Sequence, residues 1–133
     1  MISRELARAV RDSGLVWHPE PGDAFVIDRV EADEDIFYLS ELTIEAHHYP
    51  TGTVLGFNGT TEWALDSVAL EDALWLPHEH QLRDRLGPAF VRLEPSWTVT
   101  VRVEGTPVDV VAATAADAYA RALLHLLDSF RAD

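Results

Sequence analysis

Apolar and polar residues alternate strictly from Glu41 to His47, where Leu42, Ile44 and Ala46 stand between Glu41, Thr43, Glu45 and His47. A period of two is that of a strand with one buried and one wet face. A second strand-like run, Val54-Leu55-Gly56-Phe57, follows Tyr49-Pro50-Thr51-Gly52, whose Pro and Gly suit a type I turn. Asn58-Gly59 then precedes a third run, Thr60 to Asp66. Asn-Gly tolerates positive φ at both centres of a tight type I′ turn, so Glu41 to Asp66 is expected to fold as a three-strand meander. A two-residue loop there would set Phe57 opposite Thr60, Leu55 opposite Glu62 and Val54 opposite Trp63. Trp63 would then lie diagonal to Gly56, with its ring available to cover that bare backbone. Leu55, Phe57 and Ala64 would share one face, and Val54, Trp63 and Leu65 the other, so neither side would be cleanly polar.

Helical spacing takes over at the ends of the chain. Ser3 can cap a helix to about Ser13, with Leu6 and Val10 on one face and Gly14 as its stop. Ala24-Phe25-Val26-Ile27 reads as a short strand and Glu31–Asp35 as an acidic loop. The run 68–76 fits either a helix or an irregular apolar stretch, ended at Pro77 because the residue before proline is pushed out of the helical region. A short helix over His78–Leu86 places Leu82 and Leu86 inward before Gly87. Phe90–Leu93, Trp97–Val103 and Pro107–Val111 read as strands, with a turn at Glu104-Gly105. Thr114-Ala115-Ala116-Asp117 is a capping box that opens the longest helix, with Tyr119, Ala122, Leu123, Leu126, Leu127 and Phe130 at helical spacing. These elements predict one α+β domain over 1–133. Its antiparallel sheet comprises the central three-strand meander plus the C-terminal strands, and N- and C-terminal helices pack on it.

Charge narrows the partners. Twenty-three acidic residues against ten basic ones give a formal charge of −13, and every basic residue is Arg. Such a chain repels nucleic acid and anionic membrane, because phosphate binding needs clustered Lys or Arg. Plain solubility explains the acidity, and a docking face for a basic partner is the sharper reading. The absence of Cys removes disulfides, cysteine-based metal sites and thiol catalysis together. Met1-Ile2-Ser3-Arg4-Glu5-Leu6 lacks the apolar core of a secretory signal, and no apolar run approaches the ~20 residues of a membrane helix. A cytoplasmic location is expected.

Candidate chemistry is sparse. His78-Glu79-His80 is the most ligand-like cluster, with His48 as a third weak metal candidate. On a helix, residues two apart point to nearly opposite sides, which opposes a shared ion, although geometry is looser at a helix start. None of the serines lies in a nucleophile elbow, and no dinucleotide or phosphate-loop fingerprint is present. No cofactor is expected. Four tryptophans in 133 residues are more distinctive. Trp63 and Trp75 flank an apolar segment and either line a groove or fill the core, the core being the commoner fate of large aromatics.

Three segments carry a resemblance: Gly56-Phe57-Asn58-Gly59-Thr60-Thr61-Glu62-Trp63-Ala64-Leu65-Asp66-Ser67, then Ala73-Leu74-Trp75-Leu76-Pro77 with Gln81-Leu82, then the helix from Tyr119 to Leu127. Through them the chain resembles a family of short acidic actinobacterial proteins that often bear the pilus-assembly name CpaE. Other proteins of that name are similar to much longer ATPases of the septum-site type with a phosphate loop, which this chain lacks. The resemblance implies no established activity and transfers no catalytic residue. The segment Trp97–Asp128 is weakly similar to small antitoxin-like modules.

The expectation is therefore a non-catalytic interaction or accessory protein that self-associates as a homodimer through a bare sheet face. Leu55, Phe57, Trp63 and Trp75 are its contact candidates. Two alternatives stand beside it. One is a small ligand- or metal-binding protein or enzyme with a pocket near Trp63, Trp75, His48 and His78. The other is an antitoxin-like module that binds a basic protein.

Overall fold

The structure, a computed structural model, describes residues 1–28, 35–39, 44–49, 52–57 and 67–131. It is an α+β chain of antiparallel strands with helices near both ends, and it divides into two compact units, residues 1–16 with 77–133 and residues 17–76. Among the described residues, no helix is long and apolar enough to cross a membrane.

The first unit joins the two ends of the chain. Helix α1 (Arg4–Asp12) starts where Ser3 Oγ accepts the Leu6 N–H at 3.3 Å. It stops at Gly14, whose φ of +116° an L side chain rarely adopts. Helix α2 (Glu79–Leu86) begins after Pro77, and the His78 N–H donates to Gln81 Oε1 at 2.9 Å. Leu82 and Leu86, one turn apart, are its buried side. Three strands follow: β7 (Phe90–Glu94), β8 (Thr98–Val103) and β9 (Thr106–Val111), numbered after the six strands of the second unit, in the order β7-β8-β9. Strand β8 opens at Thr98 rather than Trp97, because Trp97 has φ +52° and belongs to the turn. A tight turn joins β8 to β9, with Glu104 at φ +51° and Gly105 at φ +81° between the paired Val103 and Thr106. Both central φ values are positive, as a type I′ hairpin requires.

Helix α3 (Ala115–Arg131) packs on β8 and β9, and α1 and α2 lie against α3. Its buried side is rich in alanine: Ala115, Ala116, Ala118, Ala120 and Ala122 accompany Tyr119 and Leu123. Small side chains let two helices and a sheet approach one helix closely. The expected capping box is half made. Thr114 Oγ1 accepts the Asp117 N–H at 3.1 Å, but Asp117 Oδ1 accepts the Ser3 N–H at 2.7 Å. One carboxylate thus serves the first turns of α1 and α3, where negative charge complements both helix dipoles.

The second unit contains no α-helix among its described residues. One sheet has the order β2-β1-β6, from β1 (Ala24–Ile27), β2 (Phe37–Tyr38) and β6 (Ala73–Leu76). Its middle strand is an unbroken apolar run, and Ala24, Phe25 and Val26 are all buried. A strand covered on both faces has no need of alternation. The other sheet has the order β3-β4-β5, from β3 (Ile44–Tyr49), β4 (Gly52–Phe57) and β5 (Ser67–Ala69). It is an antiparallel three-strand meander, and Tyr49 pairs directly with Gly52 across the predicted Pro50-Thr51 link.

Its third strand corrects the expected register. Leu55 pairs with Ala46 on one side and Val68 on the other, and Gly56 pairs with Ser67. With both edges of β4 occupied, Leu55 cannot pair with Glu62, nor Val54 with Trp63. Asn58-Gly59 and Trp63 lie outside the described residues. The run 68–76 is neither one helix nor irregular. A single 3-10 turn, Leu70–Asp72, separates β5 from β6, because the residues on either side are held in pairs with β4 and β1.

Candidate functional site

Register decides which residues gather on the β3–β4–β5 sheet. Residues opposite each other share a face, and successive rows alternate between faces. The rows Ile44–Phe57, Ala46–Leu55–Val68 and His48–Thr53 fall on one face. Glu45–Gly56–Ser67, His47–Val54–Ala69 and Tyr49–Gly52 fall on the other. Leu55 therefore stands opposite Val68 in the register. Within its unit, the Leu70–Asp72 turn is the other described element in substantial contact with this sheet.

Charge is divided unequally between the units. Residues 17–76 carry thirteen acidic side chains against the single Arg29, a balance of −12. The remaining 73 residues carry ten acidic side chains against nine Arg, a balance of −1. Almost the whole charge of the chain belongs to the unit that holds the apolar rows.

Trp75 belongs to the packing of that unit. It is 8% exposed, and its ring stacks on Trp17 at 6.2 Å between centroids and 8° between planes. Trp17 also meets Phe25 at 5.7 Å, and Phe25 meets Phe37 at 5.6 Å. Beside this cluster lies a residue that the sequence did not single out. Asp23 is buried, and its Oδ2 accepts the Trp17 indole N–H at 2.9 Å and the Glu20 N–H at 3.0 Å. The Asp23 carbonyl accepts from Leu39, and the Leu39 carbonyl accepts from Gly22. The carboxylate thus fixes an indole, a turn and the entry to β1 together.

The histidines are placed differently from the helical expectation. His78 precedes α2 and His80 lies in its first turn, so their rings come together, 5.6 Å between centroids and 14° from parallel. Imidazole lone pairs lie in the ring plane, and two nearly parallel planes do not meet at a nearby ion. His48 sits in β3, in the other unit. Among the described residues, no three His, Asp or Glu side chains group to hold a metal ion.

A cleft of about 390 Å³ lies between β9 and α3, lined by Val110, Val111, Arg121, Leu124, His125 and Asp128. Arg121 Nη1 donates to the Val111 carbonyl at 2.8 Å across its mouth. The spacing of Arg121, Leu124, His125 and Asp128 marks one helix face in the sequence. Only tertiary structure sets β9 beside it. No protein-family profile, curated protein or solved structure matches the chain.

Proposed function

We propose that this chain is a non-catalytic accessory protein that acts by binding a basic protein through residues 17–76. The observation that carries the reading is the charge split, −12 in the unit whose meander aligns Ile44 with Phe57 and Ala46 with Leu55 and Val68 in register. An apolar face on a strongly acidic body suits a partner with an apolar stripe edged by Lys or Arg. Complementary charge speeds the encounter and rejects wrong partners, while the apolar rows supply affinity. A second copy would bring like charge to the same face, which opposes pairing there.

Phe57→Asp tests the reading, because it places a charge among the apolar rows without removing any acidic residue. Pull-down from native extract with the wild type is expected to retain a protein of positive net charge. Retention should fall at least about tenfold in Phe57→Asp and fall steeply as salt is raised through the range where surface charges become screened. Equal retention by both baits at every salt concentration would refute the proposal. A halved mass of Phe57→Asp by light scattering, with no basic protein retained, would instead assign this face to a homodimer.

A further inference from the structure

We infer that the outer edge of β9 pairs with the same edge of a second copy, joining two three-stranded sheets into one. The inference concerns residues 77–133 and is independent of any partner of the second unit.

Strand β9 ends the sheet order β7-β8-β9, and Thr106, Pro107, Asp109 and Val111 are exposed. In a two-residue hairpin the pair flanking the turn is hydrogen-bonded, and every second pair after it is bonded likewise. Val103↔Thr106, Val101↔Val108 and Val99↔Val110 are therefore the bonded pairs of β8 and β9. Pro107, Asp109 and Val111 aim their main-chain groups away from β8. Three observations agree with this assignment. Proline, which has no N–H, occupies one outward position. The Val111 carbonyl accepts a bond from outside the sheet, from Arg121 at 2.8 Å. The next residue, Ala112, turns its N–H back to the Trp97 carbonyl.

The edge thus offers the Pro107 carbonyl, the Asp109 N–H and carbonyl, and the Val111 N–H. That set is self-complementary. A twofold antiparallel pairing centred on Asp109 lets each Asp109 N–H donate to the carbonyl of the partner's Asp109. Each Val111 N–H then meets the carbonyl of the partner's Pro107. The bond that proline cannot make is the one to the Val111 carbonyl, and Arg121 of the same chain already supplies it. On the helix side, the partner's Val108 would come opposite Val110, at the cleft lined by Val110 and Leu124. This unit itself carries a balance of only −1. One feature weakens the pair: two Asp109 side chains face each other, each accepting a hydrogen bond from its own Thr100.

Three variants read this arrangement by sedimentation equilibrium over a range of concentrations. Val111→Pro removes an outward N–H that β8 does not use, as Pro107 already does, and should leave a monomer. Asp109→Asn removes the facing charges and should lower the dimer dissociation constant about two- to five-fold. Arg121→Met leaves the Val111 carbonyl without a donor in the paired edge and should raise that constant at least about tenfold. The reverse result for Arg121→Met, tighter association, would show that Arg121 guards the edge against pairing and would overturn the inference. So would a wild type and an Asp109→Asn variant that both stay monomeric at the highest concentration. Circular dichroism of Val111→Pro confirms that the sheet is retained, and the Arg121→Met result decides the matter if it is not.

Discussion

Phe25→Ala is expected to destabilise the unit formed by residues 17–76 by about 3–5 kcal/mol. Phe25 is the middle of β1, paired with Phe37 on one side and Trp75 on the other. It is 0% exposed, and its ring touches those of Trp17 and Phe37. Truncation removes the largest fully buried side chain of this small core and leaves a hole bounded by Leu39 and Ala73, which rigid strands cannot collapse to fill. A loss of this size rivals the total stability of an ordinary domain. Trp17, Trp63 and Trp75 lie in this unit and Trp97 alone in the other, so indole fluorescence during guanidinium unfolding reports mainly on it. The fluorescence-detected transition should move to lower denaturant, and Phe25→Leu should recover most of the shift. An unchanged midpoint in Phe25→Ala would contradict the placement of Phe25.

Asp23→Ala should cost about 2–3 kcal/mol by a different route. The mutation deletes no apolar packing. It leaves the Trp17 indole N–H and the Glu20 amide, both bonded to Asp23 Oδ2, without that acceptor in a partly buried site. Asp23→Asn keeps one acceptor oxygen of the same reach and should lose less than half as much. The ordering Ala worse than Asn separates a hydrogen-bonding role from a role of charge alone, and equal losses would speak for charge. Denaturant midpoints by fluorescence provide the comparison, and a red-shifted Trp17 emission in Asp23→Ala would accompany it.

Local signals are legible in the sequence where the physics is local. Ser3 and Gly14 bound α1, Pro77 and Gly87 bound α2, and Thr114 opens α3, because caps and breakers act within one turn of the chain. Glu104-Gly105 turned as expected for the same reason. Pairing was less legible. Asn58-Gly59 argued for a tight return, yet β4 pairs with residues 67–69, since a strand pattern specifies a face and not a partner. Asp117 shows a similar limit. Its spacing from Thr114 predicted a bond within its own helix start, and the carboxylate instead reaches Ser3, 114 positions away.

Candidate sites divide along the same line. The sequence points to Leu55 and Phe57 through their near neighbours, whereas register pairs Leu55 with Ala46 and Val68 and Phe57 with Ile44. The sequence leaves Trp75 between groove and core, and its burial and its stacking on Trp17 place it in the packing. The edge of β9 passed unnoticed, because its donors and acceptors become distinctive only once β8 has taken half of them.

The sequence by itself determined the α+β class, the three helices with their caps, the alternation of the strands and the net charge of −13. Each is a property of a residue and its near neighbours. Tertiary structure alone decided that residues 1–16 join 77–133, and therefore that nearly all the charge belongs to the other unit. It also decided which strands pair and which main-chain groups of β9 remain to be met. Those outcomes follow from contacts between residues far apart in the chain, whose loop-closure entropy is offset only when whole faces pack together.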